Sequence, residues 1–68
     1  MRRVILYKGE DGYWIAECPT LPGCVSQGKT VEEATKNIKE AVSAYITALE
    51  MDHLTVPPET DEVMIAQV

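Results

Sequence analysis

Pro19-Thr20-Leu21-Pro22-Gly23-Cys24-Val25-Ser26-Gln27-Gly28-Lys29-Thr30-Val31-Glu32-Glu33-Ala34 carries the change from strand to helix on which the fold turns. Pro19 and Pro22 each remove a backbone donor and Gly23 relieves the chain for a turn, so no central strand runs through the first five residues. Cys24 to Gln27 is then long enough for a short strand, which Gly28 ends. Thr30 and Glu33 form a capping box: the threonine oxygen accepts from the Glu33 amide while the Glu33 carboxylate reaches back to the Thr30 amide. Two glutamates in that first turn also suit the positive end of the helix dipole.

Downstream of the cap, Val31, Ala34, Ile38, Ala41, Val42, Tyr45, Ile46 and Leu49 fall within an arc of about 140° at about 100° per residue. Glu32, Lys36, Lys39, Glu40, Ser43, Thr47 and Glu50 lie opposite. A single amphipathic helix from Val31 to about Met51 is expected. It has no glycine stop and carries Glu50 and Asp52 at its negative pole, so its end is expected to fray before Pro57. Upstream, Arg2 to Lys8 and Tyr13 to Cys18 read as strands, joined by a hairpin at Gly9-Glu10-Asp11-Gly12. Asp61 to Val68 reads as a last strand. A helical crossover is the connection a parallel pair requires, so this strand is expected beside the first and parallel to it. The expected fold is α+β, β-β-β-α-β: a three-strand antiparallel meander, one helix and a fourth strand, in the order 3-2-1-4.

The chain has 68 residues, enough for one small domain, which at this size buries only roughly 60% of its unfolded surface, so self-association would help it. A net charge of −5 disfavours direct nucleic-acid binding over a broad surface. The apolar run Val4 to Tyr7 is far short of the roughly 20 residues of a membrane span, and Lys8 interrupts any export leader. A cytoplasmic location is expected. Cys18, Cys24 and His53 do not make a four-ligand zinc site within one chain, and in a reducing cytosol the cysteines are expected to be free packed thiols.

Three blocks in order carry a resemblance: Glu10-Asp11-Gly12-Tyr13-Trp14-Ile15-Ala16, then Pro19 to Gly28, then Thr30 to Ala34 with Asn37 to Ala41. Together they resemble the HicB antitoxin family, with Asp11, Gly12, Tyr13, Trp14, Pro19, Leu21, Pro22, Gly23 and Cys24 as motif residues. The resemblance implies a partial ribonuclease-H-like module. It also implies a partner: HicA, a small mRNA-cleaving toxin whose active site the antitoxin covers. Many family members continue into an operator-binding segment. Here residues 1–68 read as a single domain with no C-terminal DNA-binding domain. Solitary HicB-like proteins offer the alternative reading, an oligomeric binding module without a toxin.

Chemistry is not expected. Ribonuclease-H-like nucleases hold two metal ions with carboxylates from the first strand, a helix and the fourth strand. Here the first strand has none, Glu40 lies on the polar helix face, and Asp61 and Glu62 open the last strand. No catalytic residue, metal ligand or cofactor site is assigned. A binding role rests on a separate argument, because the strands are apolar on both faces and one helix covers only one of them. Ile5, Tyr7, Trp14 and Ile65 are the candidate interface residues. A homodimer or higher homo-oligomer is the minimal expectation, and an acidic surface suits a basic partner.

Overall fold

The computed structural model describes residues 2–60 and 66–67. Three strands, β1 (Ile5–Lys8), β2 (Trp14–Glu17) and β3 (Val25–Gly28), precede one helix, α1 (Val31–Met51). Each strand pairs antiparallel with the next. Leu6, Ala16 and Ser26 lie in line across the sheet, and so do Ile5, Glu17 and Val25 on the opposite face.

Two turns make this meander. In the first, Gly12 donates to the Gly9 carbonyl and Gly9 donates to Tyr13. The Asp11 carboxylate accepts from the Tyr13 amide at 3.1 Å, and Gly12 takes a φ of 85°, which a side chain would resist. In the second, the Leu21 amide donates to Cys18 and the Cys24 amide donates to Leu21, two successive reversals, with Gly23 at φ 79°. The loop is more than a connection, because its Leu21 side chain is fully buried.

The core consists of Ala16, Cys18, Leu21 and Cys24 from the meander against Ala34 and Ile38 from α1, with Val4, Leu6, Trp14, Ala41, Val42, Tyr45 and Ile46 packed around it. The helix lies chiefly over β3 and β2. What allows so close a seat is Gly28. A Cβ there would stand 2.5 Å from the Ala34 amide nitrogen and 2.8 Å from the Glu33 carbonyl carbon, both backbone atoms that a rotamer change cannot move. Further along, Asn37 donates to the Gln27 carbonyl at 2.8 Å, and the Tyr45 hydroxyl donates to the Pro22 carbonyl at 2.8 Å. The two bonds tie the helix to β3 and to the second turn.

At the start of α1, Glu33 donates its amide to the Thr30 hydroxyl at 3.0 Å. Its carboxylate, however, accepts from Lys29 at 3.2 Å, one residue before the expected amide. At the other end the fraying expectation is corrected. Leu54 donates to Leu49 and His53 donates to Glu50, the paired bonds of a Schellman termination, with His53 in the left-handed conformation (φ 56°) that glycine usually supplies. The stop exists without a glycine because histidine tolerates this region at a modest cost.

The fourth strand also requires correction. Among the described residues the sheet has three strands in the order β1-β2-β3, so neither the β-β-β-α-β arrangement nor the order 3-2-1-4 holds. The chain after α1 does return to the β1 end of the sheet, through side chains. Arg2 donates to the Pro57 carbonyl and the Arg3 amide donates to the Glu59 carboxylate. Pro57 and Pro58 have no N–H to contribute to a ladder. Of the segment 61–68, residues 61–65 and 68 lie outside the described residues, while Ala66 and Gln67 are exposed and in no strand. Residues 2–4, expected in the first strand, precede β1.

Gly28→Ala is expected to destabilise the protein by about 2–3 kcal/mol, the upper part of the usual range for overpacking, because backbone rather than side chain must yield. A denaturant midpoint unchanged by this substitution would disprove the close seat of α1 on β3.

Candidate partner-binding surface

Alternation along the strands sorts the sheet into two faces. Toward α1 point Leu6, Trp14, Ala16 and Ser26, with Lys8 held over the Trp14 ring at 5.7 Å. Away from it point Ile5 and Tyr7 of β1, Ile15 and Glu17 of β2, and Val25 and Gln27 of β3. No described element covers this second face. Tyr7 and Val25 are 41% and 52% exposed there, although both are large apolar-bodied side chains. The one ionised group among the six, Glu17, accepts from the Tyr7 hydroxyl at 2.6 Å. That bond is the main reason the Tyr7 phenol is pushed above its ordinary pKa, and it satisfies part of the carboxylate within the chain.

The candidate interface residues therefore do not share one patch. Ile5 and Tyr7 lie on the uncovered face, Trp14 lies on the helix side, and Ile65 lies outside the described residues. The motif residues occupy turns and core. Asp11 and Gly12 form the first turn, with Tyr13 half-buried behind it. Pro19, Pro22 and Gly23 are exposed in the second turn, while Leu21 and Cys24 are buried. Cys18 and Cys24 are free thiols. Burial, and then the neighbouring Cys18, push the Cys24 thiol up, which makes it a poor nucleophile at neutral pH. Among the described residues no three His, Cys, Asp or Glu side chains gather into a metal site.

A polar cluster at the β1 end of the sheet had no sequence signal, since its members lie far apart along the chain. Arg2 donates to the Thr20 hydroxyl at 3.1 Å, and that hydroxyl donates to the Glu59 carboxylate at 2.8 Å. The Thr20 bond, then the Arg3 amide, hold the Glu59 carboxyl below its ordinary range. Beside the cluster an open groove of about 760 Å³ runs between the segment that precedes β1 and α1, floored by Val4, Ile38, Val42 and Ile46. Arg2, Thr35, Lys39 and Glu59 complete its lining.

The family model for the HicB-like antitoxin of bacterial toxin–antitoxin systems matches residues 3–67. The chain belongs to this family. Among curated relatives of this HicB-like protein, a UPF0150 protein of Thermoplasma acidophilum is 49% identical over 59 residues, covering 87% of this chain and 86% of the relative. A UPF0150 protein of Synechocystis is 52% identical over 56 residues, 82% of this chain and 71% of the relative. One from Helicobacter pylori is 54% identical over 50 residues, 74% and 68% respectively.

Because the folded carboxyl of Glu59 titrates lower than in the unfolded chain, its contribution to stability is complete above the unfolded value of about 4.3 and is lost as pH falls through the folded value. Glu59→Gln is therefore expected to lower the melting temperature at pH 7, with the difference from the parent closing below about pH 4. A difference that persists undiminished at pH 3 would show that the Glu59 contacts act by shape rather than charge.

Proposed function

We propose that this HicB-like protein is the antitoxin of a type II toxin–antitoxin pair, and that it binds and masks a HicA-like mRNA-cleaving toxin without catalysing a reaction itself. The observation that carries the reading is the family match, which spans nearly the whole chain. Supporting it is the charge: a chain of net −5 suits a basic partner, as an RNA-cleaving protein needs to be. No described helix is long and apolar enough to cross a membrane. A cytoplasmic location agrees with mRNA as the toxin's target.

Self-association is the second part of the proposal. The face formed by Ile5, Tyr7, Ile15, Glu17, Val25 and Gln27 carries one formal charge, already hydrogen-bonded within the chain. The exposed side of α1 carries Glu32, Glu33, Lys36, Lys39, Glu40 and Glu50. Two copies of an acidic chain meet with least repulsion through the sheet, and a sheet-to-sheet dimer removes the apolar side chains from water.

Purified protein with Mg²⁺ or Mn²⁺ is expected to leave RNA intact, and adding it to an active HicA-like ribonuclease is expected to stop cleavage at a fixed, saturable ratio. Metal-dependent cleavage lost in Glu40→Gln would overturn the binding reading. Self-association with no effect on the toxin would favour a solitary HicB-like module. For the dimer, Val25→Lys places a cation opposite Glu17, harmless within one chain but buried between two. Sedimentation at micromolar concentration should show a dimer for the parent and weaker association for Val25→Lys than for Lys36→Ala. Equal effects would place the interface elsewhere.

A further inference from the structure

The second turn brings the two cysteines of the chain face to face. The register that pairs Ala16 with Ser26 and Glu17 with Val25 puts Cys18 opposite Cys24 at the next position, where the Cys18 amide donates to the Cys24 carbonyl at 3.0 Å. Both side chains lie on the α1 side of the sheet. They are 3% and 4% exposed and pack in one cluster with Ala16, Leu21, Ala34 and Ile38. The thiols are near enough for Cys18 to contribute to the raised pKa of Cys24.

Directly opposed residues in a hydrogen-bonded antiparallel pair have Cα atoms about 5.5 Å apart, which is also a usual separation across a disulfide. Their Cβ atoms stand about 4.5–5.5 Å apart, against about 3.8 Å in a bridged pair, so closing the bond takes an inward shift of about 1 Å. The ladder permits that shift here. The Cys24 amide does not return the bond from Cys18 but donates to Leu21, so the strands are already leaving their pairing at this position. A metal ion is less suited to the two sulfurs, because no three His, Cys, Asp or Glu side chains gather among the described residues.

We infer that Cys18 and Cys24 form a reversible disulfide site, a clasp that closes residues 18–24 into a ring around Leu21, with a small-molecule disulfide as the co-reactant. One protein sulfur, its proton released to water, attacks the S–S bond of the reagent and expels one half as a thiolate, which takes up a proton. The second protein sulfur, deprotonated in turn, displaces the other half. Two protein thiols thus lose two electrons and two protons to form one S–S bond, and the reagent is reduced to two thiols. The free thiols of the structure are the reduced end of this equilibrium. The inward shift strains the closed form and makes it easier to reduce than a permanent staple, as a reversible site requires. The Pro22 carbonyl that accepts from Tyr45 lies within the ring, so closure also steadies the support beneath the middle of α1. None of this depends on the antitoxin reading.

Refolding the full chain from denaturant in mixtures of reduced and oxidised glutathione lets equilibrium, rather than access to buried sulfur, decide the outcome. In an oxidising mixture the chain should lose both free thiols and two hydrogen atoms of mass, with no glutathione attached and no bond between chains, and dithiothreitol should restore it. Closing so short a loop should raise the melting temperature of the bridged chain by at least about 5 °C over the reduced one. Cys18→Ala and Cys24→Ala should each lose that oxidation-dependent rise. A parent chain that keeps both thiols in oxidised glutathione, or carries glutathione on each, would overturn the inference. Disulfides between chains, or a bridged chain that melts no higher than the reduced one, would overturn it equally.

Discussion

The bare backbone of Gly28 against the first turn of α1 is the constraint on which the rest depends. It fixes how near the helix axis comes to β3, and so whether Ala34 and Ile38 reach Ala16, Leu21 and the two cysteines. With so few fully buried residues, little redundancy exists to absorb an error in that distance. The N-terminal cap acts on the same joint. Thr30 and Glu33 settle the amides of the first turn where α1 leaves the sheet, and Asn37 takes up a carbonyl of β3 one turn on. Strand, glycine and cap thus form a single joint between sheet and helix.

From that joint follows a division of surfaces. The helix shields one side of the sheet and leaves the other nearly uncharged, while Glu32, Glu33, Lys36, Lys39, Glu40 and Glu50 line the helix exterior.

Much of this was legible in the sequence, and where it was not the cause is physical. The limits of α1 could be read because a capping box and a long 3.6-residue period are local signals, and Glu32, Lys36, Lys39, Glu40, Ser43, Thr47 and Glu50 are all exposed as the period requires. Both turns were legible from Asp11-Gly12 and Pro22-Gly23. The strands proved shorter than their composition suggested, since β-branched residues such as Val4 can pack on the core without joining a ladder. Gly28 looked like punctuation because its role is steric and arises from a contact with another element. The Arg2, Thr20 and Glu59 cluster gave no hint, its members being up to 57 positions apart, and the Schellman stop was hidden because His53 stands where a glycine would have announced it. Alternation alone does not say which side of a sheet a helix will cover, so the sequence does not separate Trp14 from Ile5 and Tyr7. The expectation of a parallel fourth strand rests on chain direction, which says where a segment can go and not whether it pairs.

The edges of the sheet carry a further consequence. An outer strand with free amides and carbonyls can recruit identical strands indefinitely, whereas a face can be satisfied by one partner and then closes. Here the outer strands are only four residues long, Asn37 occupies the Gln27 carbonyl on β3, and the Glu59 carboxylate occupies the Arg3 amide just ahead of β1. Growth by strand addition is discouraged on both flanks. The sheet-to-sheet dimer proposed above would therefore be a closed assembly, with nothing at either flank to extend it into a filament.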